Sequence, residues 1–219
     1  MKEKTNYPSV DKTHLQGISN FKLHPFIPNM SVYNSIKLMN IPYMNNIAID
    51  CLDLSLNYKE LIKNSNVIAK SLIELGVKPG EIITVCMPNY AQAVEIFLAA
   101  NKIGVTVSFI NSFAKKEETI KYLNYFESPV FVNYNKDEDY NREIKGKTKV
   151  RNIITLDKND LNRKDFNKIN GNLIGYNDLV TFSDLGLISD FQRGYFKTNF
   201  NGNQDALILF TSGTTGEPK

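Results

Sequence analysis

The sequence predicts an α/β fold in which a layered, mostly parallel, doubly wound sheet is flanked by helices. Three observations predict it. Short apolar runs alternate with helix-length amphipathic segments, glycine or proline separates most of them, and several runs are continuously apolar, as in strands buried on both faces. Strands that alternate with helices in this way indicate βαβ units around one sheet.

Residues 1–46 are interpreted as an N-terminal arm and a first helix. The arm, residues 1–30, contains three prolines and no sustained period, which favours extended chain on the surface. Ser31 is a suitable N-cap for a helix from residue 32 to about residue 38. With no Cys nearby to complete a ligand set, we expect solvated or locally packed histidines rather than a metal site at the two histidines of the arm, His14 and His24.

Residues 47–219 are interpreted as one α/β domain. It opens with a short strand pair at 48–51 and 54–56. Asn57 followed by Glu60 is a variant of the capping box and starts a helix, and Gly76 stops that helix. Later helices are predicted from a cap at Pro88-Asn89 to Gly104, with Ala93, Val94, Phe97, Leu98 and Ile103 on the buried side, and at 114–126. The predicted later strands are 82–87, 105–110, 130–133, 152–156 and 206–210.

Three other segments carry weaker signals. Residues 135–151 are highly charged, and their basic cluster, Lys145, Lys147, Lys149 and Arg151, is typical of a solvated face, with a phosphate-binding role as the less favoured alternative. Residues 157–175 are polar and Asn-rich, which favours an irregular surface loop. A short helix is expected over 178–185.

Composition excludes several classes of function. The net charge of +3 and the interleaving of lysines with acidic residues argue against a nucleic-acid partner. No apolar run approaches the length of a transmembrane segment, and no signal peptide is recognised, so we expect a cytoplasmic protein. Cys51 and Cys86 lie in apolar runs without metal-ligand spacing, which indicates free buried thiols in a reducing compartment.

The segment Thr211–Lys219 carries the clearest functional signal. It follows the apolar run 206–210 and combines hydroxyl side chains, two glycines and a lysine. Glycines let successive backbone N–H groups turn inward to bind an anion, and hydroxyls and a lysine add donors and positive charge. A turn between strands would use the same residue types, so composition alone leaves that alternative open. The segment is neither the phosphate loop G-x-x-x-x-G-K-(S/T) nor the dinucleotide motif G-x-G-x-x-G.

The string Phe210-Thr-Ser-Gly-Thr-Thr-Gly-Glu-Pro-Lys219 resembles the signature (Y/F)-T-S-G-(S/T)-T-G-x-P-K of the adenylate-forming (AMP-binding) enzymes, which include the acyl-CoA synthetases. Residues 56–61, 75–89 and 97–104 also resemble segments of that family, and 97–111 is most similar to acyl-CoA synthetases. Asn111-Ser112 departs from the Asn-Pro of many relatives, which puts the subclass in doubt. The resemblance therefore extends over about 47–134 and returns at 205–219.

The resemblance implies a carboxylic acid–CoA ligase, such as a fatty acid–CoA ligase, that uses ATP and Mg²⁺. The acid attacks the α-phosphorus of ATP to give an acyl-adenylate, and the CoA thiol then takes the acyl group. The implied phosphate-binding residues are Thr211, Ser212, Gly213, Thr214, Thr215, Gly216 and Lys219. For Lys219, an ordinary surface lysine is the alternative.

The Mg²⁺ ligand and the catalytic lysine of such enzymes would lie downstream of Lys219. From this we expect a fragment, the N-terminal part of the family's large domain truncated at its C-terminal end, with no catalytic residue of its own and no complete activity. The alternative is a non-catalytic nucleotide-binding or scaffold remnant of such an enzyme. A phosphate-loop NTPase is disfavoured, because the Lys-Ser/Thr pair is missing.

Overall fold

The computed structural model describes residues 30–52, 54–134, 137–156, 173–175 and 203–210. These residues form a parallel sheet with helices on both faces and a separate two-stranded hairpin. The helices are α1 Val32–Met39, α2 Tyr58–Glu74, α3 Ala91–Lys102, α4 Lys116–Tyr125 and α5 Glu138–Lys147. The strands are β1 Ile47–Cys51, β2 Leu54–Asn57, β3 Ile82–Cys86, β4 Thr106–Phe109, β5 Val130–Asn133, β6 Asn152–Thr155, β7 Leu173–Gly175 and β8 Leu207–Leu209.

The antiparallel hairpin of β1 and β2 leads directly into α2. The capping box predicted there is confirmed: Asn57 Oδ1 accepts the Glu60 N–H at 2.8 Å, and a Glu60 carboxylate oxygen accepts the Asn57 N–H at 2.9 Å. The helix ends where predicted, because Gly76 adopts a φ of +78°. These local contacts fix the direction in which α2 enters the domain.

All neighbouring strands of the larger sheet are parallel, in the order β7-β6-β5-β3-β4-β8. The chain runs from β3 through α3 to β4 on one side, and then through α4 to β5 on the other side of β3. The direction of winding therefore reverses between β3 and β4. In doubly wound sheets this reversal opens a crevice at the carboxyl ends of the two strands.

Each face of the sheet buries its own apolar cluster. On one face α2 and α3 pack against strand residues such as Ile83, Val107 and Val132. On the other face α4 and α5 pack against Phe131 and Ile153. Neighbouring strand residues point to opposite faces, so both clusters are filled by the same strands. In the described part of the chain, no helix is long and apolar enough to cross a membrane.

Several local predictions are wrong. Helix α5 lies within the charged segment 135–151, for which no helix was predicted, and it forms because Asp137 caps it and Ile144 packs beneath it. The three residues of β7 pair with β6 inside the segment predicted as an irregular loop. The cap of α3 is Tyr90 rather than Asn89, and it makes no side-chain hydrogen bond. The expected helix at 178–185 and the arm up to residue 29 lie outside the described residues.

Two predictions about single side chains are also wrong. Val94 is 39% exposed rather than buried, because it lines the crevice at the carboxyl ends of β3 and β4. Cys51 is only partly buried, whereas Cys86 is buried as expected. The solvated face predicted for the basic cluster is confirmed for three of its members, which form exposed ion pairs: Lys147 with Glu143, Lys149 with Glu127 and Arg151 with Glu81.

Candidate functional site

Strand β8 carries the candidate phosphate loop, and its place in the sheet is well defined. Among the described strands it is the outermost one beside β4, to which it runs parallel, with Val107 opposite Leu207 and Phe109 opposite Leu209. The carboxyl ends of β4 and β8 therefore meet at the same edge of the sheet, where ligands bind in parallel α/β folds.

Two side-chain contacts hold the amino end of β8. The Thr106 hydroxyl donates to the Asp205 carbonyl at 2.5 Å, and the Gln204 amide nitrogen donates to the Gly104 carbonyl at 2.6 Å. Both contacts join the segment before β8 to the segment around the start of β4. They help to fix the register of β8 on β4, and so the position of residue 210 at the carboxyl end of the sheet.

The sequence-predicted site residues follow immediately after Phe210. Thr211, Ser212, Gly213, Thr214, Thr215, Gly216 and Lys219 all lie outside the described residues, so their phosphate-binding role stays a prediction. The structure does describe the residue that precedes them. The Phe210 ring packs against α4, with its centroid 4.4 Å from that of Tyr122 and 5.7 Å from that of Phe126.

A cavity of about 650 Å³ lies at the reversal point of the sheet. Its walls are largely apolar and come from α3, from the end of β4 and from the two leucines of β8, and its polar side chains include Asn89, Asn111 and Ser112. The volume is within the range of small-molecule pockets. Sequence reasoning missed these residues, because the reversal depends on the strand order, which no local pattern contains.

The buried thiol beside the crevice is chemically unsuited to act as a nucleophile. Cys86 ends β3, and its Sγ lies 3.4 Å from the Asn111 carbonyl oxygen. Burial, together with the nearby Glu118 carboxylate, raises the pKa of the thiol to about 11. At neutral pH almost no thiolate is present, and the thiolate is the reactive form. Cys86 therefore acts as a core side chain.

The described residues also bear on metal binding. They contain no group of three or more His, Cys, Asp or Glu side chains that could hold a metal ion. The two histidines, His14 and His24, lie outside the described ranges.

Comparison with known proteins gives the family. The sequence profile of the AMP-binding enzyme family matches residues 42–219. The chain is 26% identical to acetyl-coenzyme A synthetase of Escherichia coli (strain K12) over 179 residues, which cover 75% of this chain and 25% of that protein. It is 25% identical to 4-coumarate–CoA ligase 3 of Arabidopsis thaliana over 152 residues, which cover 69% and 24%. The chain thus spans about a quarter of the length of these relatives.

Solved structures share the fold. The anthranilate CoA ligase AuaEII, solved with anthranoyl-AMP, has a TM-score of 0.64 at 19% identity, covering 88% of this chain and 33% of that one. The apo structure of MatB from Rhodopseudomonas palustris has a TM-score of 0.63 at 18% identity, covering 85% and 33%. The predicted α/β fold is confirmed. Because the family profile covers most of the chain, this protein belongs to the AMP-binding enzyme family, as its resemblance to adenylate-forming enzymes indicated.

Proposed function

We propose that the chain is part of an ATP-dependent carboxylic acid–CoA ligase that works through an acyl-adenylate, and that Thr211–Lys219 binds the phosphates of ATP. The observation that carries the proposal is the phosphate-loop string itself, which begins directly after β8, at the edge of the sheet where β4 also ends. Family membership supports the same reaction.

The proposed roles follow from the residue types. The hydroxyls of Thr211, Ser212, Thr214 and Thr215 donate hydrogen bonds to the β- and γ-phosphates, and Gly213 and Gly216 let the backbone approach them. Lys219 offsets the negative charge that develops on the departing pyrophosphate. These groups position the nucleotide for in-line attack by the acid and take no part in bond making themselves.

The other substrates are a carboxylic acid and CoA. The similarity of residues 97–111 to acyl-CoA synthetases favours CoA as the acceptor, and a fatty acid is the carboxylic acid that we propose. Mg²⁺ would accompany ATP, with its protein ligand outside these 219 residues. The division at residue 46 into an arm with its first helix and an α/β domain, and a cytoplasmic location, are parts of the same proposal.

Nucleotide binding by the 219-residue chain tests the phosphate role. Calorimetric titration with MgATP and with pyrophosphate is expected to show saturable binding. Lys219→Ala is expected to weaken binding by roughly ten- to a hundredfold, since hydrogen bonds to charged groups contribute about 1.5–3 kcal/mol. Lys63→Ala, a change of the same kind on the exposed side of α2, should leave both affinities unchanged. Equal affinities for the wild type and Lys219→Ala would contradict the assignment.

Turnover separates the ligase from the second possibility, a nucleotide-binding remnant. A polypeptide of these 219 residues alone is expected to show no acid-dependent release of pyrophosphate, because it spans about a quarter of the relatives' length. Turnover at ordinary enzyme rates would contradict this expectation. In a longer protein that contains these residues, ATP–pyrophosphate exchange that depends on the acid and falls in Lys219→Ala supports the ligase. Nucleotide binding without any exchange in that protein supports the remnant.

A further inference from the structure

Phe210 directly follows the strand β8 and contacts the apolar cluster on the α4 face of the sheet. Side chains alternate along the strand, and Leu207 and Leu209 face the crevice, 40% and 63% exposed. Phe210 faces the other way and packs against the buried cluster beneath α4. Its ring contacts both Tyr122 and Phe126, as described above. Phe210 thus packs against a helix, whereas the two leucines of β8 are largely exposed to solvent.

The packing of Phe210 matters because β8 is short and, within the described part of the chain, pairs with β4 alone. The strand has three residues and bonds along one side to β4. Strands with one partner and exposed side chains open locally at low free-energy cost. The contacts of Thr106 and Gln204 hold the amino end of β8. The packing of Phe210 on α4 holds its carboxyl end, where residues 211–219 begin.

Helix α4, against which Phe210 packs, is itself held to the carboxyl ends of β3 and β4. Helix α4 follows β4 after a short connection, in which Asn111 Oδ1 accepts the Phe113 N–H at 2.9 Å. The Asn111 carbonyl oxygen also contacts Cys86 Sγ at the end of β3. Leu123 of α4 is fully buried against the sheet. Phe210 therefore rests on a support that is fixed relative to the ends of β3 and β4.

We infer that Phe210, Tyr122 and Phe126 form an aromatic anchor that positions the first residue of the phosphate loop, with Phe210 as a positioning residue for nucleotide binding. This inference rests on the proposed function of residues 211–219. A loop that binds phosphate through its backbone N–H groups gains affinity when it is ordered before binding, because ordering on binding costs free energy. The anchor fixes residue 210, the residue before that loop, from the side of the sheet opposite the crevice.

Hydrogen–deuterium exchange on the 219-residue chain tests the anchor without any ligand. Phe210→Ala is expected to speed exchange in peptides that cover 206–219 and to leave peptides from β3 and β5 unchanged. Phe210→Tyr keeps the ring and should restore the slow exchange. Phe113→Ala is the matched control, because that phenylalanine is 89% exposed. Tyr122→Leu is a second route to the same effect if Phe210→Ala does not fold. Unchanged exchange in 206–219 for both disruptive variants would overturn the anchor.

Titration with MgATP then connects the anchor to the loop. The dissociation constant is expected to rise roughly three- to tenfold in Phe210→Ala, the effect of losing one or two aromatic contacts, and to return to the wild-type value in Phe210→Tyr. If Lys219→Ala weakens binding but Phe210→Ala does not, the positioning role is wrong and the phosphate role stands. If the wild type binds no MgATP, the phosphate role in this chain is wrong, and the positioning role is wrong with it. The exchange experiment then bears only on the anchor as a structural contact.

Discussion

The carboxylate of Glu143 on α5 accepts a charge-assisted hydrogen bond from the ammonium group of Lys116 on α4, and so joins the two helices on one face of the sheet. Lys147 donates to the same carboxylate at 2.6 Å. The bond from Lys116, reinforced by that from Lys147, lowers the pKa of Glu143 from 4.5 to about 2. Because the folded-state pKa is the lower one, this stabilisation is present above the unfolded-state pKa and is lost as pH falls from about 4.5 to about 2.

The first prediction is that Glu143→Gln reduces the loss of thermal stability at acid pH. Thermal unfolding followed by circular dichroism between about pH 5 and about pH 2 should show a smaller fall in Tm for the variant than for the wild type. At neutral pH the variant should unfold at a slightly lower temperature, since the pair is partly exposed. Glu74→Gln removes an exposed carboxylate from α2 and serves as the control. An equal fall in Tm at acid pH for Glu143→Gln and the wild type would show that the pair contributes nothing to stability.

The two cysteines are predicted to differ in reactivity. Burial and Glu118 raise the pKa of Cys86 to about 11, so at about pH 8 roughly one thiol in a thousand is ionised. Cys51 is only partly buried. Titration of the native protein with a thiol-specific reagent should therefore modify Cys51 first and Cys86 only after unfolding. In Cys51→Ser the native protein should react slowly, and in Cys86→Ser at the wild-type rate. Fast labelling of native Cys51→Ser would contradict the buried environment of Cys86.

Local signals predicted the elements whose structure depends on local chemistry. The capping box of Asn57 and Glu60 and the positive φ of Gly76 and Gly104 are set by neighbouring residues, and the helix boundaries they predict are confirmed. Helix α5 was missed, because it buries only Asn141 and Ile144 in ten residues and its periodicity is too sparse to recognise. Its stability comes from tertiary contacts, notably Lys116 on another helix.

The candidate site was only partly predictable for the same reason. The string 211–219 can be read from the sequence, because its glycines and hydroxyls are contiguous. The crevice of Asn89 and Asn111 could not be read, since it exists only where β3 and β4 become neighbours and the winding reverses. The contact of Phe210 with Tyr122 likewise joins residues far apart in the sequence. Pairings of this kind depend on the whole sheet.

A buried polar pair between α2 and α3 gives a third prediction. The Asn64 amide donates to the Glu95 carboxylate at 2.9 Å, and Glu95 is fully buried. Asn64→Ala removes one donor from a buried carboxylate, so the free energy of unfolding should fall by about 1–3 kcal/mol in urea titration. Asn34→Ala, an exposed position on α1, should change it by less than about 0.5 kcal/mol. A loss in Asn64→Ala no larger than in this control would show that the pair does not stabilise the packing of α2 on α3.

The last prediction concerns the amino end of β8. Thr106 is buried and donates its hydroxyl hydrogen to the Asp205 carbonyl at 2.5 Å. Thr106→Val keeps the branched shape and removes the donor, so we expect a loss of about 1 kcal/mol in the free energy of unfolding. Hydrogen exchange should speed up in peptides that cover 203–209, while those from α2 stay unchanged. Thr106→Ser keeps the hydroxyl and should exchange like the wild type. If Thr106→Val also exchanges like the wild type, the hydroxyl is dispensable. The backbone pairing of β8 with β4 is then enough to hold the strand.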